Sequence, residues 1–254
     1  MRAASLGSGS RGNGTLIEDG DTCLLVDLGF SVKETLARLE RLSRSPDDID
    51  AILVTHEHAD HINGVMSFAA AHGLPVRMTP GTEHRAKLKD KIKIIRFSSH
   101  KVFSIGSIHI EPVPVPHDAR EPSQFIFTAK DEKRIGILTD IGHVTPHVRE
   151  RYQACDALLL ECNYDVEMLA KGPYPQRLKQ RVAGIQGHLS NAQAAGLLRS
   201  VKTDRLRHVV LNHISENNNL PSLALAAARE ALGEWHGDLQ VADQENGIDW
   251  IEIA

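Results

Sequence analysis

The run Thr55-His56-Glu57-His58-Ala59-Asp60-His61 constrains this chain more than any other feature. Its three imidazoles and the carboxylate of Asp60 are borderline ligands of the kind that zinc, manganese or iron accept. An apolar stretch, Ile52-Leu53-Val54, precedes the run, and Ile62, Val65, Met66, Ala69 and Ala70 recur after it at helical spacing until Gly73. A histidine patch on a solvated loop would have neither flank. Strand-like alternation puts His56 and His58 on one side. Asp60 and His61 stand at the turn into the helix and aim at a second point nearby. The spacing therefore predicts two ions, each held by a pair. The H-E-x-x-H zinc helix is a different motif, because the residue three after Glu57 is Asp60.

Four ligands do not complete two ions, and three other places supply candidates. His117 follows an apolar strand and its prolines. Asp140 ends a strand in Thr139-Asp140-Ile141-Gly142. His213 ends another in Leu211-Asn212-His213-Ile214-Ser215. All three sit where a strand gives way to a loop, which is where sheet-based sites collect functional groups.

The rest of the chain reads as short strands with helices spread among them. Strands are predicted at 16–18, 23–28, 51–55, 76–79, 92–97, 108–115, 124–129, 134–139, 157–161 and 208–211, with one or two more in 237–253. Helices are predicted from the Ser31 cap through Leu42, then at 62–70, 145–152, 166–169, 176–182, 191–200 and 222–232. The pattern suggests two packed sheets with helices outside. Hydrophobic residues make up 41% and aromatic residues 4%, so the core must be built mostly from Val, Ile, Leu and Ala. No Pro/Gly/Ser-rich segment and no repeat divides the chain, so one domain over 1–254 is expected.

Cys23, Cys155 and Cys162 are an odd set with no C-x-x-C spacing, which fits a reducing compartment. Residues 1–9 have no apolar h-region, and charges interrupt every apolar run before it reaches a membrane span. A cytoplasmic location is expected, with no membrane association and no feature demanding an obligate protein partner. The net charge is −4, unlike that of most nucleic-acid binders, but its distribution is uneven. Three basic clusters occur, at 85–101, 171–181 and 199–207. Together they point toward a polyanionic substrate.

The His-x-His-x-Asp-His run with the later His117, Asp140 and His213 resembles the metallo-β-lactamase fold superfamily. Within it, the chain is similar to the YycJ/WalJ group of exonuclease-like proteins. The segments that carry this likeness are Ser8-Gly9-Ser10-Arg11-Gly12-Asn13, Pro116-His117-Asp118-Ala119, Thr139-Asp140-Ile141-Gly142, Gly187-His188-Leu189-Ser190-Asn191 and His213-Ile214-Ser215-Glu216-Asn217-Asn218. The resemblance implies an α/β fold, the four-layer αββα sandwich, with the site at one edge of the two sheets. It implies that His56, His58 and His117 hold one ion, that Asp60, His61 and His213 hold the other, and that Asp140 bridges them. The implied cofactors are two divalent ions, zinc or manganese ahead of iron. His188 resembles the non-metal histidine that ribonuclease Z places near the scissile phosphate, and Glu161 its glutamate partner. Asp60, His188 and Glu161 are thus the expected catalytic residues.

Five histidines and two aspartates leave two divalent ions with excess positive charge, which suits an anionic substrate. The expected function is a dinuclear-metal-dependent phosphodiesterase or nuclease, 5′–3′ exonuclease-like, acting on DNA or RNA. A metal-bridging hydroxide would attack phosphorus, and His188 would protonate the leaving oxygen. Ser215, Asn217 and Asn218 would bind substrate phosphates, and the Gly/Ser loop at 7–12 offers further donors. The alternative is a small-molecule hydrolase of the same fold: a cyclic phosphodiesterase, a lactonase or a thioesterase. A diiron redox member would need a flavodoxin-like extension that these 254 residues do not contain.

Overall fold

The computed structural model describes residues 1–86 and 92–253. The first half of the chain forms β1 (Arg2–Gly7), β2 (Gly14–Asp19), β3 (Thr22–Val26), α1 (Val32–Arg41), β4 (Ala51–Leu53), α2 (Ala59–Ile62), α3 (Val65–His72), β5 (Val76–Met78), α4 (Pro80–Ala86) and β6 (Ile94–Arg96). The second half forms β7 (Phe103–Ile105), β8 (Ile108–Pro114), β9 (Ser123–Thr128), β10 (Arg134–Leu138), α5 (Pro146–Tyr152), β11 (Ala157–Glu161), α6 (Val166–Lys171), α7 (Gln176–Val182), α8 (Asn191–Val201), β12 (His208–Asn212), α9 (Pro221–Leu232), β13 (Asp238–Val241) and β14 (Ile248–Glu252).

Among the described residues the strands form two seven-stranded sheets, ordered β14-β1-β2-β3-β4-β5-β6 and β13-β12-β11-β10-β9-β8-β7. Each is antiparallel at one end and parallel at the other: β3 to β6 run parallel in the first sheet, and β10 to β13 in the second. Side-chain alternation along the parallel strands explains the layers. On β3, Leu24 and Val26 face the core between the sheets, while Cys23 and Leu25 join Leu39, Val65 and Phe68 of the helices outside. On β11, Ala157 and Leu159 face inward, while Leu158 and Leu160 pack with Val148, Leu197, Leu198 and Ala228 of the opposite helical layer. The result is the αββα sandwich.

Several elements differ from the sequence expectation. β1 was not predicted, because Arg2-Ala3-Ala4-Ser5 lacks β-branched residues. Pairing with β2 and β14 on either side makes it a strand. β7 and α4 were likewise not predicted. The terminal region holds two strands that belong to different sheets, and a turn closed by Asp243 and Gly247 carries the chain across. The helix expected after the histidine run is broken at Asn63–Gly64 into α2 and α3. Gly64 donates its N–H to Leu28, and a Cβ there would fall 1.9 Å from the Phe30 carbonyl oxygen, so the break lets the two loops touch. Gly73, at φ +68°, ends α3 as a left-handed cap. In the basic cluster at 85–101, Lys87, Lys89 and Lys91 lie outside the described residues. No helix among the described residues is long and apolar enough to cross a membrane.

Candidate metal centre

The functional side chains gather at the carboxyl ends of the parallel strands, where open α/β sheets place their crevices. Asp27 follows β3, Thr55 and His56 follow β4, Asp140 follows β10, Glu161 ends β11, and His213 follows β12. His117 follows β8, and His58 caps α2, its carbonyl accepting from the N–H groups of His61 and Ile62. Asp27, Asp140 and His213 have φ of +58°, +49° and +52°. Non-glycine residues rarely adopt this left-handed backbone, and here it turns each side chain out of its strand and toward the centre.

The ligand atoms form overlapping groups. His56, His58 and His117 come within 4.8 Å of one another, and so do Asp60, His61 and His213. His117 Nε2 lies 3.2 Å from His58 Nδ1. Asp140 faces both groups, with one oxygen 2.9 Å from His61 Nε2 and the other 3.2 Å from His213 Nδ1 and 3.8 Å from His117 Nε2. Asp60 Oδ2 lies 3.4 Å from His61 Nε2 and 3.6 Å from His213 Nε2.

The donor set fits divalent cations. His56 Nε2 is buried with no hydrogen-bond partner, and Asp140 Oδ2 and His213 Nδ1 are buried with only other candidate ligands of the cluster near them. Folded chains rarely leave such groups unpaired unless something else satisfies them. Without cations, burial and the neighbouring His61 hold His56 well below the ordinary imidazole range. Burial opposes charge on His61, yet Asp140, Asp60 and Asp27 raise it well above 6.5. Burial likewise opposes charge on His213, and Asp140 and Glu161 raise it. Burial also opposes charge on Asp140, but His213 and His61 hold its carboxyl well below the usual range.

Two positioning residues escaped the sequence reading. Asp27, 4% exposed, accepts from the Thr55 N–H at 2.8 Å and from the Thr55 hydroxyl at 2.7 Å, and it lies 2.8 Å from His61 Nδ1. A carboxylate only accepts, so in its neutral form His61 carries its one proton on Nδ1 and turns a bare Nε2 to the centre. The Thr55 hydroxyl, having donated to Asp27, accepts from His56 Nδ1 at 3.0 Å, which frees His56 Nε2 in the same way. Asp27 thus sets the tautomer of one histidine from each group. Its signal in the sequence was an acid ending the apolar strand Leu24-Leu25-Val26, the same signature that singled out Asp140. The second residue is Asn13, whose Nδ2 donates to Asp60 Oδ2 at 3.1 Å.

His188 and Glu161 meet. His188 Nδ1 lies 2.7 Å from Glu161 Oε1 and 3.4 Å from Asp140 Oδ1. Glu161 is fully buried, and its second oxygen accepts from the N–H groups of Ile141 and Leu189. Burial works against its charge, yet His188 and His213 bring its carboxyl down to about 2. In return Glu161 raises His188 against the effect of burial.

The remaining candidates are placed differently. Ser215 and Asn218 are buried, and the Ser215 hydroxyl accepts from the Asn218 N–H. Asn217 reaches the Tyr174 hydroxyl on the surface. In the Gly/Ser loop, Ser8 accepts from the His213 N–H and Asn13 accepts from the Gly9 N–H, so its polar groups hold the site together. His143, three residues after Asp140, donates from Nδ1 to the Ile185 carbonyl. The basic clusters separate. Arg205 and Lys202 lie at the far end of β12 from His213, bound to Asp156 and to the Leu232 carbonyl. Arg96 pairs with Glu83. Arg181 reaches the mouth of the centre, where its Nε donates to Asp118, whose other oxygen lies 3.5 Å from His117 Nε2 and 3.6 Å from His58 Nε2. The charge balance also differs from the ligand count. Asp27, Asp60, Asp118, Asp140 and Glu161 are five carboxylates around the centre, one more than the charge of two divalent cations would require. His188 and Arg181 are the cationic side chains beside them, the first paired with Glu161 and the second with Asp118.

The β-lactamase superfamily domain model matches residues 22–214. The chain belongs to the metallo-β-lactamase superfamily. It is 38% identical over 226 residues to the exodeoxyribonuclease WalJ of Streptococcus pneumoniae, covering 86% of this chain and 83% of that one. It is 36% identical over 234 residues to the exodeoxyribonuclease YycJ of Bacillus anthracis, covering 90% and 88%. These two place it in the WalJ/YycJ group. Among solved structures, the metallo-β-lactamase fold protein YhfI of Bacillus subtilis superposes with a TM-score of 0.76 over 98% of both chains at 17% identity. That likeness supports the αββα fold.

Proposed function

We propose that this chain is a DNA exonuclease, a phosphodiesterase that uses two divalent cations, zinc or manganese, and removes nucleotides from DNA ends in the cytoplasm. The observation that carries the reading is the meeting of two ligand groups at Asp140 with His188 held beside them by Glu161. The WalJ and YycJ relatives bear the name exodeoxyribonuclease. Three buried free cysteines agree with a reducing compartment.

His56, His58 and His117 would hold one cation, Asp60, His61 and His213 the other, and Asp140 would face both. When bound, the pair would acidify a water to near-neutral pKa and neutralise charge on the phosphate. The other steps belong to the chain. Asp27 keeps His56 and His61 in the donor tautomer. Glu161 keeps His188 protonated, and His188 gives that proton from its outer nitrogen to the departing sugar oxygen. Ser215 and Asn218 shape the turn after His213, while Asn217 is the one of the three exposed to solvent.

The test is an assay of metal-reconstituted protein on 5′- and 3′-labelled single- and double-stranded DNA and RNA. Nucleotide release from DNA ends, falling steeply as salt is added, is the expected result, because cationic groups at the mouth exchange places with counterions. Salt-insensitive turnover of a lactone or thioester, with labelled DNA left intact, would replace this reading with the small-molecule one.

A further inference from the structure

The segment from Arg181 to His188 joins α7 to the catalytic histidine and lies along the rim of the centre. Its backbone is tied to the site at three successive residues. The Ile185 carbonyl accepts from His143 Nδ1 at 2.9 Å, the Gln186 carbonyl from the Asp118 N–H at 3.0 Å, and the Gly187 carbonyl from His117 Nδ1 at 3.0 Å. The segment also packs tightly on its surroundings. A Cβ on Gly142 would sit 2.3 Å from the Ile185 oxygen, and one on Gly187 would sit 2.2 Å from the carbonyl oxygens of Arg181 and Val182. The backbone is therefore rigid, and at its tip stands Ile185, 76% exposed. Among the described residues, none of the other exposed large hydrophobic side chains is more open to solvent. A β-branched side chain on a pinned backbone has little rotamer freedom. Four residues away, Arg181 is held through Nε by Asp118, and its side chain is 56% exposed. That leaves its outer N–H groups to a backbone phosphate.

Resting on the exonuclease reading, we propose that Ile185 is a wedge that packs against the terminal base pair of duplex DNA, with Arg181 beside it on the backbone phosphate. Apolar side chains inserted at a base step unstack it. At this position the wedge would favour release of the end nucleotide into the metal centre three residues away at His188. A rigid apolar tip flanked by a cation is complementary to a base face with its phosphate. A solvated loop has no need of either the pinning or the isoleucine.

The experiment compares wild type, Ile185→Ala and Ile185→Leu on a blunt duplex and on a single strand of the same sequence, reading the ratio of the two kcat/KM values. Single-stranded ends need no unstacking, so the ratio isolates the wedge from the chemistry. Ile185→Ala should lower the duplex-to-single-strand ratio by about tenfold, while Ile185→Leu should retain most of it. An unchanged ratio in Ile185→Ala, with wild type digesting both DNAs, overturns the wedge alone. Wild-type protein that releases nothing from either DNA but hydrolyses bis(p-nitrophenyl) phosphate overturns the exonuclease reading, and the wedge with it.

Discussion

Replacing Asp27 by Asn tests whether a residue outside the candidate ligand set controls binding of both proposed cations. Asn is nearly isosteric with Asp and tolerates the left-handed backbone at φ +58°, so the change isolates the charge and the hydrogen-bond polarity. Asp27 receives three contacts, from the Thr55 N–H, the Thr55 hydroxyl and His61 Nδ1. An amide cannot accept all three. With its oxygen toward the Thr55 N–H, its NH₂ faces the Thr55 hydroxyl and His61. His61 must then accept on Nδ1 and carry its proton on Nε2, the atom aimed at Asp60 and Asp140. The Thr55 hydroxyl, no longer able to donate to residue 27, loses its reason to accept from His56 Nδ1. A hydrogen bond to a charged group contributes about 1.5–3 kcal/mol. That range corresponds to a loss of roughly 10–150-fold in metal affinity, which overlaps the roughly 10–100-fold cost usual for removing such a partner behind a ligating histidine. Since one histidine of each group depends on Asp27, both cations should weaken. The assay is metal content by mass spectrometry after equilibration against a graded series of metal–chelator buffers, with circular dichroism to verify the fold. A folded Asp27→Asn protein that retains both cations at the wild-type free-metal concentration would refute the tautomer relay.

Three further predictions use other parts of the centre. His188→Ala should keep its metals and lose roughly 10²–10⁴-fold in kcat on a phosphodiester with little change in KM; an unchanged kcat removes His188 from proton transfer. Glu161→Gln should move the alkaline limb of the kcat profile to lower pH. Glu161 raises the His188 pKa, and the protonated form is lost as pH rises through that value, so without Glu161 the loss comes earlier; a limb that stays in place would contradict the assignment. Metal binding to the chelated protein at pH 7 should release on the order of two protons, because His61 and His213 are both raised well above 6.5 when no cation is bound. Calorimetry in buffers of different ionisation enthalpy measures this, and an enthalpy independent of buffer would show the imidazoles to be neutral beforehand.

The candidate ligand set was legible in the chain because its chemistry is local. His56, His58, Asp60 and His61 declare themselves by residue type and spacing, and His117, Asp140 and His213 stand at strand ends that apolar patterning marks. The core strands were legible for the same reason, since Leu24-Leu25-Val26 and Ala157-Leu158-Leu159-Leu160 are apolar throughout and suit strands buried on both faces. β1 was not, because its conformation comes from partners at residues 14–19 and 248–252 rather than from its own side chains.

The sequence alone determined the kind of chemistry this protein can host: imidazoles and carboxylates at metal-ligand spacing, on strands bound to be buried. Only the tertiary structure decided which nitrogen His56 and His61 turn to the centre, how many carboxylates surround it, and which basic residues stand near it. Those outcomes depend on hydrogen bonds between residues 28 and 34 positions apart, such as Thr55 and His61 with Asp27, and on which end of a strand a charge is carried to. No spacing rule encodes contacts of that range, because they exist only after two sheets have packed and brought their strand ends to one edge.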